Sequence, residues 1–146
     1  MSSGTDKEEW NKELREQVVA NINELRLCNI TPVLIGDFNG HIKECNGNIK
    51  GIDSNGIFLE MLATQESFIV ANRTNKCHGK WTWNRGDRKT EIDFVLIDKS
   101  IWPNLVSMTV DEEGSKWSIA SDHSFIEVTF ERLDLVTKEK GKPTKR

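Results

Sequence analysis

One carboxylate inside an otherwise apolar segment constrains the fold of this chain more than any other feature of its sequence. The segment is Ile92-Asp93-Phe94-Val95-Leu96-Ile97, a short apolar run that is typical of a buried strand. Burying the Asp93 carboxylate is costly unless a partner compensates its charge. We predict that the partner is His123, because an imidazole N–H that donates to a carboxylate is held in one tautomer and the ring becomes more basic.

A second polar cluster follows the apolar run Pro32-Val33-Leu34-Ile35-Gly36, which predicts another buried strand. Asp37 and Asn39 come directly after this run. Side chains just past the end of a buried strand lie at the edge of the sheet, where ligands of open α/β sheets bind. The alternative is an ordinary turn, since Asp, Asn and Gly are the commonest turn formers.

A third acidic residue, Asp122, precedes His123 in the sequence Ser121-Asp122-His123-Ser124. The hard carboxylate oxygens of Asp122 suit Mg²⁺ or Mn²⁺ as a metal ligand. The alternative is that these four residues are only a polar entry to the last strand, which would require three separate coincidences.

The spacing of the apolar residues predicts both helices and strands. A helix over about residues 6–26 is predicted from residues that recur at three- and four-residue spacing: Trp10, Leu14, Val18, Ile22 and Leu25. A second helix is predicted through residues 57–63, with Ser54 or Asn55 as its N-cap. The predicted strands cover residues 68–72, 80–83, 91–98, 106–111 and 124–133, and the last of them alternates apolar and polar residues.

The length of 146 residues suits one domain with a real core. No apolar run approaches the ~18 residues that cross a bilayer, and no secretory signal is visible, so we expect no membrane association. Three cysteines without Cys-x-x-Cys spacing favour free thiols and an intracellular protein, nuclear or cytoplasmic and not secreted. The expected organisation is a disordered segment at 1–5, a domain at 6–134 and a basic disordered tail or linker at 135–146.

Positive charge is concentrated in residues 73–89, although the net charge of the chain is −3. A local basic field can attract a polyanion, and interleaved tryptophans can stack on bases or sugars. The alternatives are a solvated loop, and aromatic side chains that serve the core. The candidate nucleic-acid-binding residues are Arg73, Lys80, Trp83, Arg85, Arg88 and Lys89.

A zinc site is a less favoured interpretation of the remaining metal-binding residue types. It would use His41, Cys45, Cys77 and His78. The paired-ligand spacing of structural zinc sites is not present on both sides, so this cluster predicts zinc only weakly.

Three motifs, in this order along the chain, resemble those of the endonuclease/exonuclease/phosphatase superfamily, which includes deoxyribonuclease-I-like nucleases. They are Gly36-Asp37-Phe38-Asn39, Ile92-Asp93-Phe94 and Ser121-Asp122-His123, and the similarity extends over about residues 8–132. The stretch from Trp81 to Ile97 is most similar to non-LTR retrotransposon endonucleases, which are encoded beside a reverse transcriptase. The resemblance implies divalent-metal-dependent hydrolysis of DNA.

The resemblance also implies a role for each motif residue. Asp37 would orient or deprotonate the attacking water, and Asn39 would donate a hydrogen bond to the scissile phosphate. Asp93 would hold His123, whose imidazole would stabilise the charge that builds on the phosphoryl oxygens. Asp122 would sit near Mg²⁺ or Mn²⁺. Attack in line with the leaving 3′ oxygen needs carboxylate, amide and imidazole groups of this kind.

The similarity covers only the second half of the family's domain. Family members carry a first half with a glutamate that is a principal metal ligand, whereas the residues before Asp37 form one predicted helix whose glutamates receive no such role. The implied fold is α/β, or α+β in some schemes. It is half of a four-layer α/β sandwich, with a mixed, mostly antiparallel sheet of about five or six strands and helices on one face.

A half-sandwich has consequences for assembly and activity. The strand face that carries Ile126, Val128 and Phe130 is expected to lack cover within the chain, which predicts a homodimer through this face. Cleavage by the isolated chain is expected to be weak or absent. The alternative function is a non-catalytic, self-associating remnant that binds nucleic acid or protein.

Overall fold

The computed structural model describes residues 4–42, 52–116 and 120–131 of the chain. Within these residues two helices accompany strands that pair mostly antiparallel, which confirms the α+β class. The helices are α1 (Gly4–Leu27) and α2 (Ser54–Gln65). The strands are β1 (Val33–Asp37), β2 (Phe68–Val70), β3 (Cys77–His78), β4 (Trp83–Arg85), β5 (Arg88–Thr90), β6 (Asp93–Asp98), β7 (Leu105–Asp111) and β8 (Phe125–Phe130).

Both predicted helices are present, and the N-cap of α2 differs from the prediction. The cap is Asp53, whose carboxylate accepts a hydrogen bond from the backbone N–H of Gly56 at 2.7 Å. Ser54 and Asn55, the predicted caps, lie in the first helical turn and accept from the Arg15 guanidinium instead. A carboxylate cap satisfies a free N–H and also complements the positive end of the helix dipole.

The first sheet has the order β1-β6-β2 and is antiparallel throughout. Phe94 and Leu96 of β6 are fully buried on the face that meets the helices. They pack against a cluster that includes Ile22 of α1 and Leu59 of α2. The predicted arrangement of helices on one face of a sheet is therefore confirmed.

The opposite face of β6 packs on a second sheet of order β3-β7-β8. Val95 and Ile97 are fully buried there, against a cluster that includes Met108 of β7. The strands are thus divided between two three-stranded sheets and a hairpin, not joined in one sheet of five or six. A 3₁₀ turn at Ala71–Arg73 follows β2, and the chain then continues to β3 in the second sheet.

The expectation of an uncovered face on the last strand is wrong. Ile126, Val128 and Phe130 are partly buried and pack against the cluster between the two sheets. Exposed apolar side chains of the sheets include Val33 and Ile35 of β1, which are 36% and 58% exposed, and Val106 of β7, which is 48% exposed. Among the described residues β1 is an edge strand, so its apolar face and one row of backbone groups are open.

Strands β4 and β5 form a two-stranded hairpin in which Arg85 pairs with Arg88. Gly86 and Asp87 make the turn, and Gly86 has a positive φ of 63°, which glycine adopts without strain. The predicted strand at residues 80–83 is displaced: β4 begins where that prediction ended.

Neither helix of the described chain has the length and apolar character of a membrane span. The predicted tail at 135–146 lies outside the described residues.

Candidate functional site

Asp37, Asp93 and His123 converge at one end of the first sheet, with their potential ligand atoms all within 4.8 Å of one another. The strand register brings the two carboxylates together, because Asp37 at the end of β1 pairs directly with Asp93 at the start of β6. His123 reaches them from the segment before β8, where it forms an isolated bridge with Trp83 of β4. This is the one such group of three potential metal ligands in the described part of the chain.

Asp93 and His123 form the pair that the sequence predicted. His123 Nδ1 lies 3.1 and 3.0 Å from the two carboxylate oxygens of Asp93. Asp93 is 9% exposed, so the imidazole supplies the partner that a buried carboxylate needs. Because Nδ1 donates to Asp93, Nε2 is turned toward the remaining member of the group.

Two side chains that sequence reasoning missed hold the backbone of Asp93. Thr82 is fully buried, and its hydroxyl accepts from the backbone N–H groups of Ile92 and Asp93 at 3.0 Å each. The Asn72 amide donates to the Asp93 carbonyl at 3.1 Å and accepts from the N–H of Val95 at 2.9 Å. Asn72 thus continues the pairing of β6 beyond the end of β2. A threonine between tryptophans and an asparagine after a strand gave no signal of this role.

Asp37 and Asn39 form a tight turn at the end of β1. The backbone N–H of Asn39 donates to Asp37 Oδ1 at 2.8 Å, and Asn39 has a left-handed φ of 45°. The other oxygen, Oδ2, faces His123 Nε2 at 3.9 Å. At that separation a carboxylate acceptor and an imidazole N–H face one small volume, in which a water or a substrate oxygen can contact both.

The environment of His123 favours the protonated ring. The hydrogen bond to Asp93 raises the pKa of His123 most strongly, and burial partly opposes this effect. The negative charges of Asp93, Asp37 and Asp122 raise the pKa further. The surrounding carboxylates therefore favour a positive charge on the His123 ring.

An NMR titration is expected to place the pKa of His123 above the ordinary value of 6.5, and Asp93→Asn should lower it. Because folding raises this pKa, the stabilisation from His123 is complete below about pH 6.5 and is lost as the pH rises through the folded value. A His123 pKa at or below 6.5, or one that Asp93→Asn leaves unchanged, would contradict the pairing.

Asp122 is placed beside the group but is not a member of it. Its carboxylate is exposed and accepts a hydrogen bond from the indole Nε1 of Trp83 at 3.0 Å. The same contact fixes the ring of Trp83, a predicted nucleic-acid contact. Asp122 therefore holds the hairpin β4–β5 against the site, and its charge acts on His123 from a distance.

The candidate nucleic-acid-binding residues fall into two groups. Arg85, Arg88 and Lys89 are exposed on the hairpin, next to the site. By the alternation of strand side chains, Arg85 and Arg88 share a face with Trp83, whose ring touches Asp122. Arg73 lies apart from this group, because its guanidinium binds Glu60 of α2 at 2.7 Å.

Lys80 also makes a contact within its own segment. Its ammonium lies over the Trp81 ring, 4.6 Å from the centroid, in a cation–π contact. The three cations that are exposed on the hairpin are Arg85, Arg88 and Lys89, which we call the hairpin cations.

The zinc alternative gains no support from the described residues. Cys45 lies outside them, and His41, Cys77 and His78 do not form a group of potential metal ligands. Burial, with a contribution from the charge of Glu91, raises the pKa of Cys77 to about 11, which disfavours the thiolate that zinc requires.

Comparisons of this chain with models of known protein families, with curated proteins and with solved structures find no match.

Proposed function

We propose that this chain carries half of the active site of a divalent-metal-dependent nuclease that hydrolyses phosphodiester bonds in DNA. The observation that carries the proposal is the placement of Asp37 Oδ2 opposite His123 Nε2 at 3.9 Å, with Asp93 holding the other ring nitrogen. A proton acceptor and an imidazole N–H donor on either side of one small volume suit water attack on a phosphate. The motif resemblance points to the same chemistry.

In this proposal each residue acts through the atom that its contacts leave available. Asp37 accepts the proton of the attacking water through Oδ2, because Oδ1 already accepts from Asn39. His123 donates from Nε2 to a phosphoryl oxygen and stabilises its developing charge. The Asn39 side chain lies on an exposed turn, where its amide can donate to the phosphate. Asp93 contacts only the imidazole in this scheme and is a positioning residue.

The donor set fits a hard cation held loosely. Mg²⁺ commonly binds through one or two carboxylates and retains several waters, and the exposed carboxylate of Asp122 beside the group would be such a ligand. The Asp93 oxygens are engaged by His123, so they are weaker candidates as ligands. Mg²⁺ or Mn²⁺, when bound, would neutralise phosphate charge and lower the pKa of a coordinated water.

The proposed site calls for a further carboxylate, since the family resemblance implies a metal-binding glutamate. No glutamate belongs to the group in the described chain. We propose that a second polypeptide, either another copy of this chain or the first half of such a domain, packs on β1. The support is the exposed Val33 and Ile35 on an edge strand that ends at Asp37.

Nicking of supercoiled plasmid DNA in Mg²⁺ or Mn²⁺ tests the proposal. We expect EDTA to stop nicking and Asp37→Ala to abolish it, whereas Glu24→Ala, an exposed substitution on α1, should leave the rate unchanged. A rate that rises with the square of the protein concentration would support completion by a second copy. Nicking that persists in EDTA or in Asp37→Ala would overturn the proposal.

Binding to DNA without cleavage is the alternative function, and the hairpin cations are the observation that favours it. We expect the combined charge reversal Arg85→Glu and Arg88→Glu to weaken binding and to reduce the salt dependence of log K by about one for each phosphate that is no longer bound. Lys99→Glu is the control, since Lys99 is exposed at the opposite end of β6. Binding that depends on the hairpin but never leads to turnover would favour the alternative over the nuclease.

A further inference from the structure

His41 connects three separate elements through its side chain and backbone. Its Nδ1 lies 2.7 Å from Asp53 Oδ2 at the start of α2, and its Nε2 lies 3.1 Å from the hydroxyl of Thr90 in β5. The residue itself belongs to the segment that follows β1, two positions after Asn39. Because both ring nitrogens are engaged, the orientation of the imidazole is fixed.

Asp53 is itself held firmly, so it is a rigid anchor for His41. Its carboxylate accepts from the backbone N–H of Gly56 at 2.7 Å and from the backbone N–H of His41 at 3.1 Å. Burial alone would raise the pKa of Asp53, but these hydrogen bonds, with that of the His41 ring, lower it overall. The carboxylate therefore stays charged at neutral pH.

The segment after β1 also packs closely against the start of α2. A side chain on Gly56 would place its Cβ 1.9 Å from the His41 carbonyl oxygen, and one on Gly40 would lie 2.8 Å from the Asn55 Cβ. The Asn55 amide donates to the Asn39 carbonyl at 3.1 Å. Close backbone approach of this kind requires glycine, and it leaves the turn at Asn39 little room to move.

Thr90 completes a connection to the other side of the site. Thr90 is paired with Trp83 in the hairpin, and Trp83 in turn bridges His123 and binds Asp122. The imidazole of His41 thus spans the two sides of the candidate site: the turn with Asp37 and Asn39 on one side, and the hairpin that supports His123 on the other.

We propose that His41 is a positioning residue that sets the distance between the Asp37–Asn39 turn and His123. The predicted effect on the cleavage rate rests on the proposed nuclease function. His41 contacts no member of the Asp37, Asp93 and His123 group through its side-chain hydrogen bonds, so it acts through Asp53 and Thr90. Its side chain is 51% exposed in the pair with Asp53, and exposed pairs add little to stability.

If His41 acts by positioning, its replacement should lower the rate of cleavage without lowering the stability of the fold. A displacement of about 1 Å at a reacting group can cost about 100-fold in rate. We therefore expect His41→Ala to lower kcat by about 10- to 100-fold while KM changes by less than about threefold and the thermal midpoint changes little. Thr90→Val should reproduce part of the kcat loss, because it removes the hydroxyl but keeps the shape of the side chain.

The test combines single-turnover nicking with NMR of ¹⁵N-labelled full-length chain. His78→Ala is the matched control, because His78 is an exposed histidine on β3 outside the site. We expect His41→Ala, but not His78→Ala, to shift the backbone amide of Asn39 and the imidazole signals of His123. If the wild-type chain binds DNA but never nicks it, the result favours the alternative function of binding without cleavage, and the NMR comparison still decides the positioning role. Unchanged Asn39 and His123 signals, or a loss of kcat that merely follows unfolding, would overturn the inference.

Discussion

Replacing His123 with alanine is expected to slow metal-dependent nicking by about 10²–10⁴-fold, the range typical of losing one positioned acid or charge-stabilising group. The imidazole faces Asp37 across a gap of 3.9 Å, and its pKa is raised. Asp93→Asn should cause a smaller loss, because the ring remains but its charged acceptor is removed. Rates are to be measured under single-turnover conditions with saturating metal.

The double variant distinguishes a coupled pair from two independent residues. Because Asp93 acts only by holding His123, Asp93→Asn should cost little once His123 has been removed. Glu127→Gln is the control on the following strand, since Glu127 is exposed and pairs with Lys116 at 3.3 Å. Losses that multiply in the double variant would show that Asp93 contributes separately, and the proposed division of roles would then be wrong.

The pair at the centre of the site was predictable because both partners left a visible signal in the sequence. A carboxylate within an apolar strand is unusual, because a partner must compensate the cost of its burial. His123, which follows Asp122, was the available partner for Asp93. The structure confirms the contact between Asp93 and His123. The first helix was predictable from apolar residues at helical spacing, but only part of that stripe packs on the core. Ile22 is 2% exposed, whereas Trp10 and Leu14 are 68% and 50% exposed.

Other parts of the site left no signal because they depend on the tertiary path of the chain. Thr82 and Asn72 support Asp93 from segments 11 and 21 residues away in sequence. The division into two sheets likewise depends on which elements pack on each face of β6: helices on one face and the second sheet on the other. Local pattern shows that both faces are buried, but it does not show whether helices or a second sheet bury them.

The hairpin β4–β5 is an intermediate case. Gly86-Asp87 between cationic residues is a recognisable two-residue turn. The strand before it was nevertheless predicted at residues 80–83, where Trp81 and Trp83 alternate, and not at Trp83–Arg85. The N-cap of α2 was misplaced by one or two residues for a comparable reason, since Asp53, Ser54 and Asn55 are all good capping residues. In the structure Asp53 accepts the hydrogen bond from the Gly56 N–H, whereas Ser54 and Asn55 accept from Arg15.

Replacing Phe94 with alanine is expected to lower the free energy of unfolding by about 3–5 kcal/mol, the usual cost of removing a buried aromatic ring. Phe94 is fully buried in the cluster between the first sheet and the helices, and its ring meets Phe38 edge to face at a centroid distance of 6.3 Å. Urea unfolding followed by circular dichroism measures the change.

Ile35→Ala is the matched control for this prediction, because Ile35 lies in the same sheet but is 58% exposed. Its cost should stay below about 1 kcal/mol, as for most exposed substitutions. A loss below about 1 kcal/mol for Phe94→Ala would mean that the ring is not enclosed between two layers. Successive side chains of a strand point to opposite faces, so Phe94 faces the helices while Asp93 faces the site. The same alternation that places the carboxylate in the site therefore anchors it to the most buried part of the molecule.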